Sequence, residues 1–144
     1  ALEREMEKPK RTMVTLEWNH EDVLNLYKSQ FSKNEACTPI KWSEDFDFYK
    51  GSSNYHIDKI VDNKGKLIGL SSGRMFTPYY REMISLCSID VEFAKIGEEV
   101  TIVWGEVGTK QKLIKAKVAR FPYIDKDRNE NVDTDTIPRL KDKK

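Results

Sequence analysis

The chain has 144 residues, which is long enough for one domain with a real apolar core and no need of disulfides or metal. Its 25 Lys and Arg stand against 24 Asp and Glu, a formal charge of +1, so no global field points to nucleic acid or to a membrane. No apolar run nears the ~18 residues of a bilayer-spanning helix, and the two cysteines, Cys37 and Cys87, show no Cys-x-x-Cys spacing and form no disulfide framework.

Residues 1–10 are charged and end in Pro9-Lys10, and they read as a linker from an upstream domain. From Thr12 to Trp18 the chain alternates, with Val14, Leu16 and Trp18 on one side and Met13, Thr15 and Glu17 on the other. That period of two predicts a half-buried strand. Asn19 follows as an N-cap, with Asp22 three residues on as a short capping box. Leu24, Tyr27 and Phe31, joined by Val23, then predict a helix over 20–32 packed through that stripe. Residues 33–53 have no clear period and read as an irregular connection.

Beyond residue 54 the signals are those of strands. Tyr55–Val61 and Lys66–Leu70 flank Asp62-Asn63-Lys64-Gly65, a hairpin turn. Ile84–Val91 is nearly continuous apolar, as a buried strand would be. Val100, Ile102 and Trp104 alternate with polar neighbours, and so do Ile114, Ala116 and Val118. The sum is a mostly β fold: a closed antiparallel Greek-key-type barrel of about six strands over 11–124, with one N-terminal helix. Trp18, Ile102, Trp104, Ile114 and Val118 are its expected core. Residues 125–144 are dominated by charge, with too few apolar side chains to offset the entropy of ordering them, and read as a mobile tail.

Few residues carry chemistry. His20 and His56 stand apart from any Cys, Asp or Glu at metal-ligand spacing, so no metal site is expected. Glu44-Asp45-Phe46-Asp47 clusters acids without a partner for acid–base work. Ser71-Ser72-Gly73-Arg74 is too short and glycine-poor for a phosphate cradle. Lys110, Lys112, Lys115, Lys117 and Arg120 form one basic stretch, but no aromatics interleave with it as in a nucleic-acid barrel. The most unusual surface is a loop at 74–81, where Arg74, Tyr79, Tyr80 and Arg81 put two guanidinium groups and two phenols within eight residues. Such groups suit a ligand with a carboxylate and flat rings, and they equally suit a contact between domains.

Several of these residues form a larger pattern. Gly69, Ser72-Gly73 and Thr77-Pro78 come in that order, followed by Gly97, Val103-Trp104-Gly105 and Phe121-Pro122-Tyr123. In order and spacing the pattern resembles the C-terminal barrel domain of the glycine-cleavage T-protein family, the tetrahydrofolate-dependent aminomethyltransferases. Val103-Trp104-Gly105 is similar to the branch that holds the aromatic O-demethylases. Two departures stand out: Thr77 where the family more often has Ser, and Phe-Pro-Tyr where Pro-Phe-Tyr is common.

The resemblance implies a domain that closes one side of a folate cavity and packs on upstream catalytic domains of the same protein. The family's catalytic acid and pteridine-gripping acid lie in those domains, so no catalytic residue is carried over here, and the fragment alone is expected to be inactive. It also implies tetrahydrofolate as the parent's cofactor and a small methyl or aminomethyl donor as its substrate. On the cofactor side it points to Arg11, Arg74, Tyr79, Tyr80 and Arg81. A cytoplasmic, reducing compartment is expected, with neither nucleic acid nor membrane as partner. Two alternatives stay open: the equivalent barrel of a flavin-linked dimethylglycine or sarcosine oxidoreductase, and a free-standing barrel that binds protein or RNA.

Overall fold

A computed structural model describes residues 8–34, 36–40, 57–105 and 108–124. The expected linker up to residue 7, most of the irregular connection, the acids at 44–47, His56 and the tail at 125–144 lie outside the described residues.

The described residues contain six strands: β1 (Arg11–Trp18), β2 (Asp58–Val61), β3 (Leu67–Thr77), β4 (Glu82–Asp90), β5 (Glu99–Trp104) and β6 (Lys112–Ala119). They close in the order β1-β4-β3-β2-β5-β6, every neighbouring pair antiparallel. Strands β2, β3 and β4 follow one another as hairpins and β1 lies beside β4, which is Greek-key order. The barrel read from alternation in the sequence is therefore the fold. Helix α1 (His20–Ser29) follows β1, and a 3-10 turn at Val91–Phe93 follows β4.

The inward faces fill the core. Leu16, Ile60, Ile68, Ile89, Ile102, Trp104 and Ile114 are fully buried, and Trp18 and Val118 nearly so. All five core residues expected from the alternation are inside. Gly69 sits where β3 runs closest to β4: a Cβ there would lie 2.8 Å from the Ser88 carbonyl oxygen.

Three local expectations change. Helix α1 docks through Leu26, Val23 and Tyr27, whereas Leu24 is 59% and Phe31 90% exposed. The helix also stops at Ser29. There the Ser29 hydroxyl donates to the Leu26 carbonyl, and Gln30, Phe31 and Ser32 donate to carbonyls only three residues back. The helix tightens and ends, and Phe31 swings away. Asn19 is the N-cap, its side-chain oxygen accepting from Asp22 N at 3.0 Å. The Asp22 carboxylate does not reach back; it accepts from Lys115 N at 2.9 Å, while Asn19 N donates to the Lys115 carbonyl. The start of the helix thus clamps β6.

The expected loop at 74–81 is also shorter. β3 runs on to Thr77 and includes Arg74, with a register irregularity between Ser72 and Met75 and with Gly73 at φ +61°, where a side chain would be strained. Finally, β4 is buried on one face only: Met83, Ser85, Cys87 and Ile89 point inward, while Leu86 between them is 42% exposed.

Candidate functional site

β3 carries Arg74 over Trp104 at the end of β5, and its guanidinium carbon lies 4.2 Å from the Trp104 ring centre. Trp104 meets Trp18 edge to face, with centroids 5.9 Å apart. Each indole N–H is used: Trp18 Nε1 donates to Ser85 Oγ at 2.9 Å, and Trp104 Nε1 donates to the Thr38 carbonyl at 2.6 Å. The Ser85 and Ser71 hydroxyls are 2.7 Å apart, and Ser71 also donates to the Leu86 carbonyl at 3.0 Å. Such a satisfied polar network inside a core fixes the register of β3, β4 and β1. Beside it, the Tyr27 hydroxyl is buried without a hydrogen-bond partner, and burial raises its pKa against the opposing pull of the Arg74 charge.

Beyond β3 the chain turns through Pro78, Tyr79 and Tyr80 into β4. Arg81 closes the turn at φ +57°, with its N–H donating to the Thr77 carbonyl at 2.7 Å. That is a left-handed conformation, uncommon for a residue with a side chain. The Tyr79 ring projects into solvent and meets Tyr80 edge to face at 4.8 Å; Tyr80 meets Tyr123 in the same way at 5.0 Å. Tyr123 donates to Glu17 Oε1 at 2.8 Å. Burial, and then this bond to a carboxylate, push the Tyr123 phenol well above its ordinary range.

Arg74, Tyr79, Tyr80 and Arg81 therefore occupy one end of the barrel. Arg11 does not join them. It pairs with Asp90 at the far end of β4, Nε to Oδ1 at 3.0 Å. Asp90 and Glu82 beside the turn are the two ends of the nine-residue β4, roughly 26 Å apart at strand spacing. The five candidate residues thus sit as a group of four and one outlier.

Two polar pairings at the four-residue end were not legible in the sequence. His20 Nε2 is 2.6 Å from Glu82 Oε2, and Glu17 holds Tyr123; their members are 62 and 106 residues apart in the chain. A cleft of about 170 Å³ is lined by Glu17, His20, Glu82, Glu99, Lys115 and Lys117. A neighbouring cleft of about 370 Å³ runs along Tyr80, Tyr123, Lys117 and Arg120. In the basic stretch Lys115 pairs with Glu99 at 3.0 Å, a hydrogen bond that raises the pKa of the ammonium. Cys87 is no nucleophile: burial pushes its thiol up to about 12. Among the described residues no group of three or more His, Cys, Asp or Glu is placed to hold a metal ion, and no helix is long and apolar enough to cross a membrane.

No family model matches the chain. Over 145 aligned residues it is 39% identical to sesamin methylene transferase of Sinomonas sp. (strain No.22), covering 96% of this chain and 32% of that protein. It is 32% identical over 133 residues to syringate O-demethylase of Sphingobium sp. (strain NBRC 103272 / SYK-6), covering 85% of this chain and 28% of that protein. The chain thus spans about a third of the length of the curated relatives it matches. Among solved structures, the glycine cleavage system aminomethyltransferase T from Bartonella henselae shares the fold, with a TM-score of 0.50 and 19% identity over 85% of this chain and 24% of that one. These relatives put the chain in the aminomethyltransferase T-protein family that its residues resemble, on the side of the methylene transferase and the O-demethylase.

Proposed function

We propose that this chain is the C-terminal barrel of a tetrahydrofolate-dependent enzyme that takes a methyl or methylene unit from an aryl ether. In this reading the barrel closes one side of the folate cavity and rests on catalytic domains that precede it. The observation that carries the reading is the alignment: most of the chain matches a segment of two relatives named a sesamin methylene transferase and a syringate O-demethylase, and that segment is about a third of each.

Tetrahydrofolate, when bound, supplies the nitrogen that accepts the one-carbon unit. The donors of this chain suit one wall of its site. Arg81 offers a fork for a carboxylate tail and Tyr79 an open ring face for a flat heterocycle, while Tyr80 is held between Tyr79 and Tyr123. Arg74 is stacked on Trp104 and would act from there as a fixed positive charge. Arg11, paired with Asp90 at the other end, would face a different part of the parent. A single wall buries too little of a ligand for tight binding, so affinity depends on the other domains.

The test uses the longer parent protein. With tetrahydrofolate and an aryl methyl or methylene ether it should form a one-carbon folate and the free phenol, whereas the 144-residue chain alone should give no turnover above background. By titration calorimetry, Arg74→Ala or Arg81→Ala in the parent should weaken tetrahydrofolate binding roughly 10- to 100-fold, the loss expected for a charge-assisted hydrogen bond. A parent that neither binds tetrahydrofolate nor demethylates any aryl ether would sink the reading. Unchanged affinity in both variants would leave the turn as a contact between domains.

A further inference from the structure

β4 presents a mismatch between composition and exposure. From Met83 to Ile89 it carries no charge, the pattern of a strand covered on both faces, yet its outer face is open. The register shows how far this open face extends. Met13 of β1 and Leu70 of β3 flank Ser88, and Thr15 and Ser72 flank Leu86. Glu17 and Met75 flank Ile84. Directly opposed residues share a face, so Met13, Leu70, Met75, Ile84 and Leu86 lie on one face, where Ser72, Ser88, Thr15 and Glu17 alternate with them and Thr15 is buried. Four of the five apolar residues are exposed. The opposite wall differs: the outward residues of β5 and β6 include Glu99, Lys115 and Lys117, with Lys115 and Glu99 paired. A cluster of exposed apolar side chains on one wall of a barrel, with a charged pair on the other, marks a contact surface.

We propose that the outer face of β1, β4 and β3, centred on Leu86, is the surface that docks on the preceding domains of the parent protein. This rests on the functional reading above, which makes the chain part of a longer protein. Two observations favour a tethered domain over a second copy. The matched relatives are about three times as long as their matched segment. The chain also enters at the edge of this face: the Lys10 carbonyl accepts from Val91 N at 3.1 Å, at the Arg11–Asp90 end of the β1–β4 pair. A tethered partner acts at an effective concentration near the millimolar range, far above that of a free second copy.

Leu86→Cys and Leu113→Cys variants of the parent test this by the rate at which the introduced thiol is labelled in the native state, against the wild-type background of Cys37 and Cys87. Leu113 is 61% exposed on the outer face of β6 and is the control. Both should label alike in denaturant. In the native parent Leu86→Cys should label at least about tenfold more slowly, because reagent must wait for the domains to part. Equal native rates would overturn the proposal. Protection that disappears on dilution would identify a second copy as the occupant and overturn it as well. Tetrahydrofolate titration of the same parent separates the two readings. Protected Leu86→Cys without folate binding would leave the docking face standing and remove the functional assignment; folate binding with free labelling would do the reverse.

Discussion

Arg74 holds its guanidinium 4.2 Å above the centre of the Trp104 ring, and this stacking ties β3, just before the Tyr79–Arg81 turn, to a buried core residue. A cation over an indole face is worth about 0.5–2 kcal/mol, depending on how dry the site is. Trp104 is fully buried and also meets Trp18, so Trp104→Ala should cost about 3–5 kcal/mol of stability, as large core truncations do. Urea denaturation checks the value. A loss below about 1 kcal/mol would mean that the pocket collapses around the missing ring.

Ser85 should matter more than its size suggests. Its hydroxyl oxygen accepts the Trp18 indole N–H at 2.9 Å inside the core. Ser85→Ala leaves that donor buried and unpaired, at an expected cost of about 1–3 kcal/mol. Ser85→Thr keeps the hydroxyl and should recover part of the loss. Equal melting curves for wild type and Ser85→Ala would refute this account of the network.

Gly69→Ala should destabilise the barrel by about 1–3 kcal/mol, because the new methyl must displace backbone and not a flexible side chain. The nearest atoms are the Ser88 carbonyl oxygen at 2.8 Å and Ile89 Cα at 3.2 Å. Thermal unfolding gives the comparison with Gly65→Ala, where no heavy atom lies within 4 Å and only the positive φ of 80° opposes the change. The Gly69 variant should melt lower.

The β2–β3 turn should show a pH dependence of known sign. The Asp62 carboxylate accepts from Lys66 N at 2.9 Å and from Lys64 N at 2.8 Å, and the Lys66 bond leads in holding its pKa below the ordinary 3.8. A folded pKa below the unfolded one adds stability that is complete above the unfolded value and is lost as pH falls through the folded value. The stability gap between wild type and Asp62→Asn should therefore be wider at about pH 6 than at about pH 2.5. Urea midpoints at the two pH values measure it, and a gap that widens in acid would reverse the assignment.

The strands were readable because an inward-pointing residue recurs at every second position, as in Val14, Leu16 and Trp18, and nothing else in those segments competes with that pattern. The helix offered two solutions. Val23 and Tyr27 serve a stripe through Leu24 or one through Leu26, and only the contacts made after folding choose Leu26. Local composition cannot supply the clamp from Asp22 to the backbone of Lys115, which fixes how the helix is turned. Arg74 read as the start of a Pro-containing loop, while the pairing that keeps β3 extended to Thr77 comes from β4. For the candidate site, the residue types at 74–81 were legible, but the separation of Arg11 from them was not. That separation follows from β1 pairing along the whole of β4, a long-range register that no local pattern encodes.

Ring closure has a consequence for the history of such a domain. β1 pairs with β6 through Thr15–Ala119 and Trp18–Ala116, so each of the six described strands has a neighbour on both sides. A sheet with a bare margin invites foreign strands to add to it, and cutting it from a larger protein creates an aggregation hazard. A closed ring of staves carries no such margin. It can be appended to different catalytic bodies, and adapting it to each requires changes only in the side chains on the outside of the staves.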